Sequence, residues 1–238
     1  MSGPLRPAVA ILTLLLAIAF AASPYFVDSF NGFDPNQFPV PQDNPPVQPA
    51  GYAFAIWGAI YLWLILGAAW GLFKARQDGQ WHDMRLPLCL SLAVGSTWLW
   101  VATQSPVWAA VLIWVMLLSA LGALFVAPVR DRAWAAYPVG LYAGWLSAAS
   151  CVSLGLLAAG YGYLDENIAG LIFVALAALI GAAVQAALGR TPTYGIAVIW
   201  ALIAVIVANW TDARDVAYVA LAGAVIVALA TLRTLRTG

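Results

Sequence analysis

The side chains in this chain with the clearest chemistry are the aromatic rings of residues 48–63, QPAGYAFAIWGAIYLW. Successive residues of a helix turn by about 100°, so three of these rings share one face within about 60°: Phe54, Trp57 and Tyr61. Gly51 and Gly58 flank this face, and their lack of a side chain would let a flat molecule or another helix come close. The pattern predicts one wall of an apolar site that binds a planar ligand by stacking.

Residues that could support catalysis or hold a metal are scarce. The only His is His82, next to Asp83, and the only Lys is Lys74. We expect all three in one loop, which excludes a bundle-buried haem held by two histidines, a retinal Schiff base and a metal cluster. Cys89 and Cys151 fall in apolar helical segments without a neighbouring base, which is typical of core residues. No residue pair indicates a reaction on a bound ligand, so we expect a binding protein, not an enzyme, with no required cofactor or metal.

The composition places the chain in a membrane. Hydrophobic residues make up 64% of the sequence and charged residues 8%, whereas soluble domains have about a quarter charged residues. Acidic and basic residues are equally frequent, with 10 of each. The sequence has no basic cluster that could bind the phosphates of a nucleic acid, so this class of partner is not expected. We therefore expect an all-α polytopic membrane protein.

Apolar runs of the length that spans a bilayer, roughly 17–25 residues, indicate eight transmembrane helices. We expect them near 7–24, 50–73, 86–104, 107–128, 134–158, 167–188, 193–210 and 215–233. The third and fourth are separated only by Gln104-Ser105-Pro106, which predicts a tight turn. The first run also has features of a cleaved signal peptide, but it is long enough to span, and we expect a retained helix.

The charges predict the orientation. All basic residues except Arg214 lie in alternate connections or at the termini, and acidic residues dominate the opposite connections. The positive-inside rule then places both termini in the cytoplasm. The same assignment puts every charged residue in a loop or at a helix end, which argues against a proton- or ion-coupled transporter.

Several tryptophans lie too deep in their predicted helices for the interfacial belt that usually explains this residue. A buried indole N–H needs an acceptor, so exposure to lipid at that depth is unfavourable. We expect these rings to line an interior, as a packed aromatic core or as a ligand pocket. Those that map to the outer half of the membrane are Trp57, Trp98, Trp100 and Trp114.

The connection 25–49 combines six prolines with four phenylalanines and contains no Lys or Arg. Proline lowers the entropy cost of ordering a loop, and exposed phenylalanines need a surface to pack on. A semi-rigid lid over the outer mouth of the bundle would explain both features, and a flexible connector is the alternative. The candidate lid residues are Phe33, Phe38, Pro45 and Pro46.

The fifth helix contains a stripe of small residues that would bring helix backbones close together: Gly140, Gly144 and Ala148. Packing within the chain is the commonest use of such a stripe, and it would also suit a homo-oligomer interface. A second face of the same helix carries residues at i, i+4 and i+7 that could join the aromatic site: Pro138, Tyr142 and Trp145.

Four short motifs in this order resemble the tryptophan-rich sensory protein family, which includes the mitochondrial translocator protein, also called the peripheral benzodiazepine receptor. They are Asn44-Pro45-Pro46, AIWGAIYLW in the second helix, STWLW in the third and YPVGLYAGW in the fifth. The similarity covers about residues 5–158 and is closest to longer members with extra C-terminal helices. It implies a five-helix ligand-binding bundle in 1–158 and three additional transmembrane helices in 159–238.

The resemblance also implies an aromatic pocket that opens toward the long first loop. Members of the family bind porphyrins and other tetrapyrroles, sterols and synthetic aromatic ligands. The positions that match the family's pocket residues are Trp57, Tyr61, Tyr142 and either Trp98 or Trp100. Two departures are a small residue in place of the third-helix Asn, and acidic residues after the fifth helix where sterol recognition needs a basic one.

These features favour a membrane receptor or carrier for tetrapyrrole-like or other lipophilic aromatic ligands. Two alternatives stay open: a small-solute permease, which needs a continuous polar path, and a structural or assembly subunit whose tryptophans only pack. The expected partners are membrane lipid, a lipophilic small molecule and a second copy of the chain, with no nucleic acid. Arg214 is the one outer cation that could meet a ligand carboxylate.

Overall fold

The computed structural model describes residues 5–27 and 32–237. Its eight long helices are α1 (Leu5–Ala22), α2 (Ile56–Lys74), α3 (Gly79–Gln104), α4 (Pro106–Val126), α5 (Ala136–Gly160), α6 (Glu166–Leu188), α7 (Pro192–Asn209) and α8 (Arg214–Thr237). Each lies in a segment long and apolar enough to cross a membrane. The prediction of an all-α membrane protein with eight spans is confirmed.

Polar side chains at the helix starts explain several of these boundaries. Ser105 caps α4, its hydroxyl accepting from the Trp108 N–H, and Pro106 follows at the first helical position. Asp165 caps α6 by accepting from the Asn167 N–H. The tight turn predicted at residues 104–106 is therefore present, and it consists of a single non-helical residue, Ser105.

The third helix begins at Gly79, seven residues before the predicted start at 86, because Asp78 caps it through the Trp81 N–H. His82 and Asp83, predicted in a loop, therefore lie in the first turns of α3. Arg85 also lies inside this helix, and the prediction that every charged residue lies in a loop or at a helix end is wrong for it. Only 2% of Arg85 is exposed. Its guanidinium donates to the Gly71 carbonyl at 2.7 Å and lies 5.2 Å from the Trp81 ring centroid. The carbonyl end of α2 stabilises this buried cation.

Five helices form a closed ring, since α1 contacts α2, α2 contacts α5, α5 contacts α4, α4 contacts α3, and α3 contacts α1. The last three helices pack together on the other side of α5, which contacts both α6 and α7. Helix α5 thus belongs to both groups and is buried over most of its length. The predicted division at 158/159 falls at the end of this shared helix.

The small residues of α5 bring it into close contact with α7. A Cβ at Gly144 would collide with the Tyr194 carbonyl oxygen, and one at Gly140 would lie 2.6 Å from the Thr193 hydroxyl. The Tyr194 hydroxyl is 2.8 Å from the Ser147 Oγ. Because α7 of the same chain covers these glycines, a homo-oligomer interface would have to use another surface.

Candidate functional site

The five-helix ring encloses a cavity of about 430 Å³ at the end of the bundle that carries the loop 25–49. All five ring helices, or the turns that adjoin them, contribute to its wall. Among the described residues, no charged side chain lines it. The aromatic part of the wall comes from Phe20, Tyr52, Phe54, Trp57, Tyr61, Trp98 and Trp145.

The two central rings of α2 stack on each other. Trp57 and Tyr61 have centroids 5.2 Å apart and planes 20° apart. The sequence predicted that both would stack on a ligand, whereas in this structure one face of each ring is covered by the other. A flat ligand can therefore contact the outer face or the edge of this pair without separating it.

Phe20 of α1 is the ring that organises this corner of the cavity. It makes edge-to-face contacts with Trp57 at 5.7 Å, Tyr61 at 5.0 Å and Tyr142 at 5.6 Å between ring centroids. Only 3% of Phe20 is exposed. Sequence reasoning missed it, because a Phe in an otherwise apolar helix gives no sign of which way it faces.

Tyr142, predicted as a pocket residue, lies behind the wall instead. It is fully buried, and its hydroxyl lies 2.8 Å from the Ser91 Oγ, which donates to the Met116 carbonyl. Tyr142 therefore supports Phe20 from below and does not line the cavity. Tyr142 does not reach the cavity because it lies on α5 one turn deeper than Trp145. Trp145 lines the cavity and meets Phe54 edge to face at 5.8 Å.

The two candidate tryptophans of α3, Trp98 and Trp100, lie on different sides of the helix. Trp98 lines the cavity and its indole N–H donates to the Ala109 carbonyl at 2.8 Å. Trp100 is 64% exposed and lies outside the cavity. Two residues on a helix are about 200° apart, so only one of the pair can face inward. The match to the family's third-helix Trp is Trp98 by this geometry.

Two further predicted site residues also lie elsewhere. Trp114 on α4 is partly buried outside the cavity wall, and its indole N–H is buried without a hydrogen-bond partner among the described residues. Pro138 lies toward the opposite end of the bundle, beside Gly67 and Trp134. Pro138 is the first residue of the i, i+4, i+7 pattern and lies nearly two turns below Trp145, which is too far for it to reach the same cavity.

The two glycines near the start of α2 do not pack against a helix. A Cβ placed on Gly51 or on Gly58 would have no neighbour within 4 Å. Gly51 lines the cavity, and Gly58 is exposed on the helix surface. The role in close helix approach predicted for them belongs instead to the α5 glycines.

A second, narrower chamber of about 70 Å³ lies beside the main cavity. The two share the residues that lie between them: Phe54, Trp98, Ile113, Trp145 and Ala149. The rest of its wall comes from α5, where Ala148 and Ser153 contribute, from α6 and α7, and from the loop. The later helices therefore help to build the candidate site.

The loop 25–49, apart from residues 28–31, is hydrogen-bonded to several helices. The Val40 N–H donates to the last carbonyl of α5 at 2.8 Å. Gln37 Nε2 donates to the Ala102 carbonyl of α3 at 3.1 Å. The Asn209 side chain of α7 donates to the Pro46 carbonyl at 2.9 Å. These bonds hold the loop across the end of the bundle.

Apolar loop side chains are packed as a lid would require. Phe38 is 4% exposed and fits over Gly160, where a Cβ would collide with its ring. Pro45 is buried, and Pro46 lies against Gly170 of α6.

The remaining loop phenylalanines differ from Phe38. Phe33 lines the narrow chamber and meets Trp98 edge to face at 6.5 Å. Phe26 is exposed, and Phe30 lies outside the described residues.

The cation predicted for the outer rim does not reach the cavity. Arg214 lies in a separate surface cleft with Trp210 and Tyr218, and its Nε donates to the Trp210 carbonyl at 3.2 Å. Among the described residues at this end of the bundle, Arg214 is the only basic side chain. The cavity is thus both aromatic and without a positive charge.

A family model described as TSPO-like protein matches residues 8–233, which includes nearly all of α1 and α8 and everything between them. The family relationship therefore extends beyond the first five helices, to which the sequence motifs had limited it. Comparisons with curated proteins and with solved structures gave no match.

Proposed function

Because the chain belongs to the TSPO-like protein family, we propose that this integral membrane protein is a receptor or carrier for flat, lipophilic aromatic ligands, tetrapyrroles among them. The ligand occupies the main cavity under the loop 25–49. The distribution of basic residues in the sequence orients the loop end away from the cytoplasm and both termini toward it.

The observation that carries this proposal is the aromatic wall of the 430 Å³ cavity. Ligand pockets of this kind are largely apolar, with only a few polar groups. Each 100 Å² of apolar ligand surface removed from water contributes about 2.5 kcal/mol before the costs of association. The stacked pair Trp57–Tyr61 and the edge-to-face pair Phe54–Trp145, which both line the cavity, can add oriented ring contacts.

The absence of charge in the described wall favours an uncharged ligand or an uncharged part of one. A carboxylate in this cavity would lose its hydration without gaining a partner, which costs several kcal/mol. A tetrapyrrole would therefore bind with its macrocycle inside and its carboxylates in water at the mouth. We expect esterified or carboxylate-free macrocycles to bind more tightly than free acids.

The test is a titration of the purified protein with protoporphyrin IX and with its dimethyl ester, followed by quenching of tryptophan fluorescence. Trp57→Ala should weaken both ligands about tenfold or more, because it removes the ring at the centre of the wall. Trp100→Ala is the matched control, since this tryptophan lies on the same end of the bundle but outside the cavity. Equal affinities of the two variants would contradict the proposal and favour tryptophans that only pack.

A further inference from the structure

The narrow chamber is much smaller than the main cavity that it adjoins. It holds about 70 Å³, against about 430 Å³ in the main cavity. Phe54 and Trp145 lie at its border with the main cavity. A ligand whose ring system occupies the main cavity could extend only a short, unbranched arm past them.

Ser153 places a polar group in the wall of this chamber. It is 3% exposed and lines the chamber, and its Oγ has no hydrogen-bond partner among the described residues. A buried hydroxyl without a partner is unfavourable by about 1–3 kcal/mol, so it would hydrogen-bond readily to a ligand atom.

Other serines of the ring helices show how such hydroxyls are usually satisfied. Ser147, also on α5, donates to the carbonyl one turn earlier at 2.9 Å. Ser91 on α3 donates across to the Met116 carbonyl at 2.8 Å. Ser153 is free of both kinds of bond, and it is also the one serine among the chamber's described lining residues.

Apart from Ser153 and Gln48 of the loop, the described side chains that line the chamber are apolar. Several of them come from the later helices: Phe173, Val174 and Ala177 of α6 and Leu202 of α7. A five-helix ring alone would lack this wall.

We propose that the narrow chamber is a second subsite, which takes a short, uncharged arm of the ligand and hydrogen-bonds its terminal oxygen to Ser153. This inference rests on the proposed function and makes it more specific. The ligand class becomes a planar aromatic ring system with one alkyl arm that ends in a hydroxyl or carbonyl. Helices α6 and α7 then help to select the ligand as well as to hold the loop.

Three probes separate the two subsites: pyrene, 1-butylpyrene and 1-pyrenebutanol, each titrated by energy transfer from tryptophan to pyrene. Ser153→Ala should weaken pyrenebutanol about three- to tenfold, the range for one lost hydrogen bond. It should leave pyrene and butylpyrene within about twofold. Ser150→Ala is the matched control, because Ser150 is also buried and unpartnered on α5 but lines neither chamber.

A second variant tests the narrow chamber without relying on the Ser153 hydroxyl. Ala177→Leu adds three carbons to the chamber wall and should lower the affinity for butylpyrene and pyrenebutanol to that for pyrene, with pyrene unchanged. If Trp57→Ala weakens all three probes but Ser153→Ala and Ala177→Leu do not discriminate among them, the arm subsite is wrong and the main site stands. If Trp57→Ala weakens none of the three probes, the proposed function itself is wrong.

Discussion

Trp57 and Tyr61, one turn apart on α2, stack on each other with 5.2 Å between their ring centroids. The pair forms a stiff double layer, further fixed by edge-to-face contacts of both rings with Phe20. A ligand therefore meets a prepared surface and does not have to order two separate side chains. Pre-ordering of this kind lowers the entropic cost of binding.

The stacked pair predicts that the ring of Tyr61 matters for binding more than its hydroxyl. Tyr61→Phe should keep ligand affinity within about twofold, because the ring still backs Trp57. Tyr61→Ala should weaken it about tenfold, since Trp57 then loses a contact worth about 0.5–1.5 kcal/mol and the wall loosens. The quenching titration measures both variants, and an equal loss for Phe and Ala would contradict the double-layer arrangement.

The loop should open more often when its bond to α7 is removed. Asn209→Ala removes the side chain that donates to the Pro46 carbonyl and leaves that acceptor without its partner, a change of about 1–3 kcal/mol. Amide hydrogen exchange of residues 42–50 should speed up roughly tenfold or more. Asn167→Ala, a half-buried position at the same end of the bundle, removes a hydrogen bond to Asp215; it is the control and should leave exchange in 42–50 unchanged.

Glycine substitutions should separate packing glycines from exposed ones. Gly144→Ala forces a methyl group into the Tyr194 carbonyl and should destabilise the protein by about 1–3 kcal/mol. Gly58→Ala meets open space and should be neutral or stabilising by up to about 1 kcal/mol. Thermal unfolding in detergent distinguishes them, and a stable Gly144→Ala protein would mean that α5 and α7 are farther apart than described.

The buried cation of α3 should be structural. Arg85→Met keeps an unbranched apolar stem but removes the guanidinium and its bonds to the Gly71 and Ala75 carbonyls, so the melting temperature should fall by about 5 °C. Arg76→Met, at an exposed position in the connection between α2 and α3, should change the melting temperature little. Ligand affinity should be unaffected in both variants, because neither residue lines the cavities.

The sequence was sufficient to predict the eight spans, because the length of each apolar run and the alternation of basic and acidic connections can be read directly from it. It failed at the start of α3, where GQWHDMR is too polar for a hydropathy threshold although Asp78 caps a helix there. Arg85 was misplaced for the same reason. The pairing of its charge with the α2 carbonyls is a tertiary contact that no local pattern shows.

The aromatic face of Phe54, Trp57 and Tyr61 was predictable because helical periodicity puts the three rings together, although Phe54 lies in the 3-10 helix Gly51–Ala55 that precedes α2. All three rings line the cavity. Trp98 and Trp100 could not be separated, since in a membrane helix both faces are apolar and the pattern gives no inward direction. Phe20 and Phe173 were missed for this reason too. The contribution of α6 and α7 to the site was out of reach, because it depends on how they pack against α5.

The most direct measurement is photoaffinity labelling of the membrane-embedded protein with a flat aromatic probe that carries a diazirine, followed by peptide mapping. We expect labels on residues 51–61 of the α2 region, on Trp98 and Leu99, and on 145–149 of α5, with the labels competed away by unmodified ligand. Labels spread over outward-facing residues such as Trp100 and Leu118, and not competed, would contradict a ligand site inside the five-helix ring.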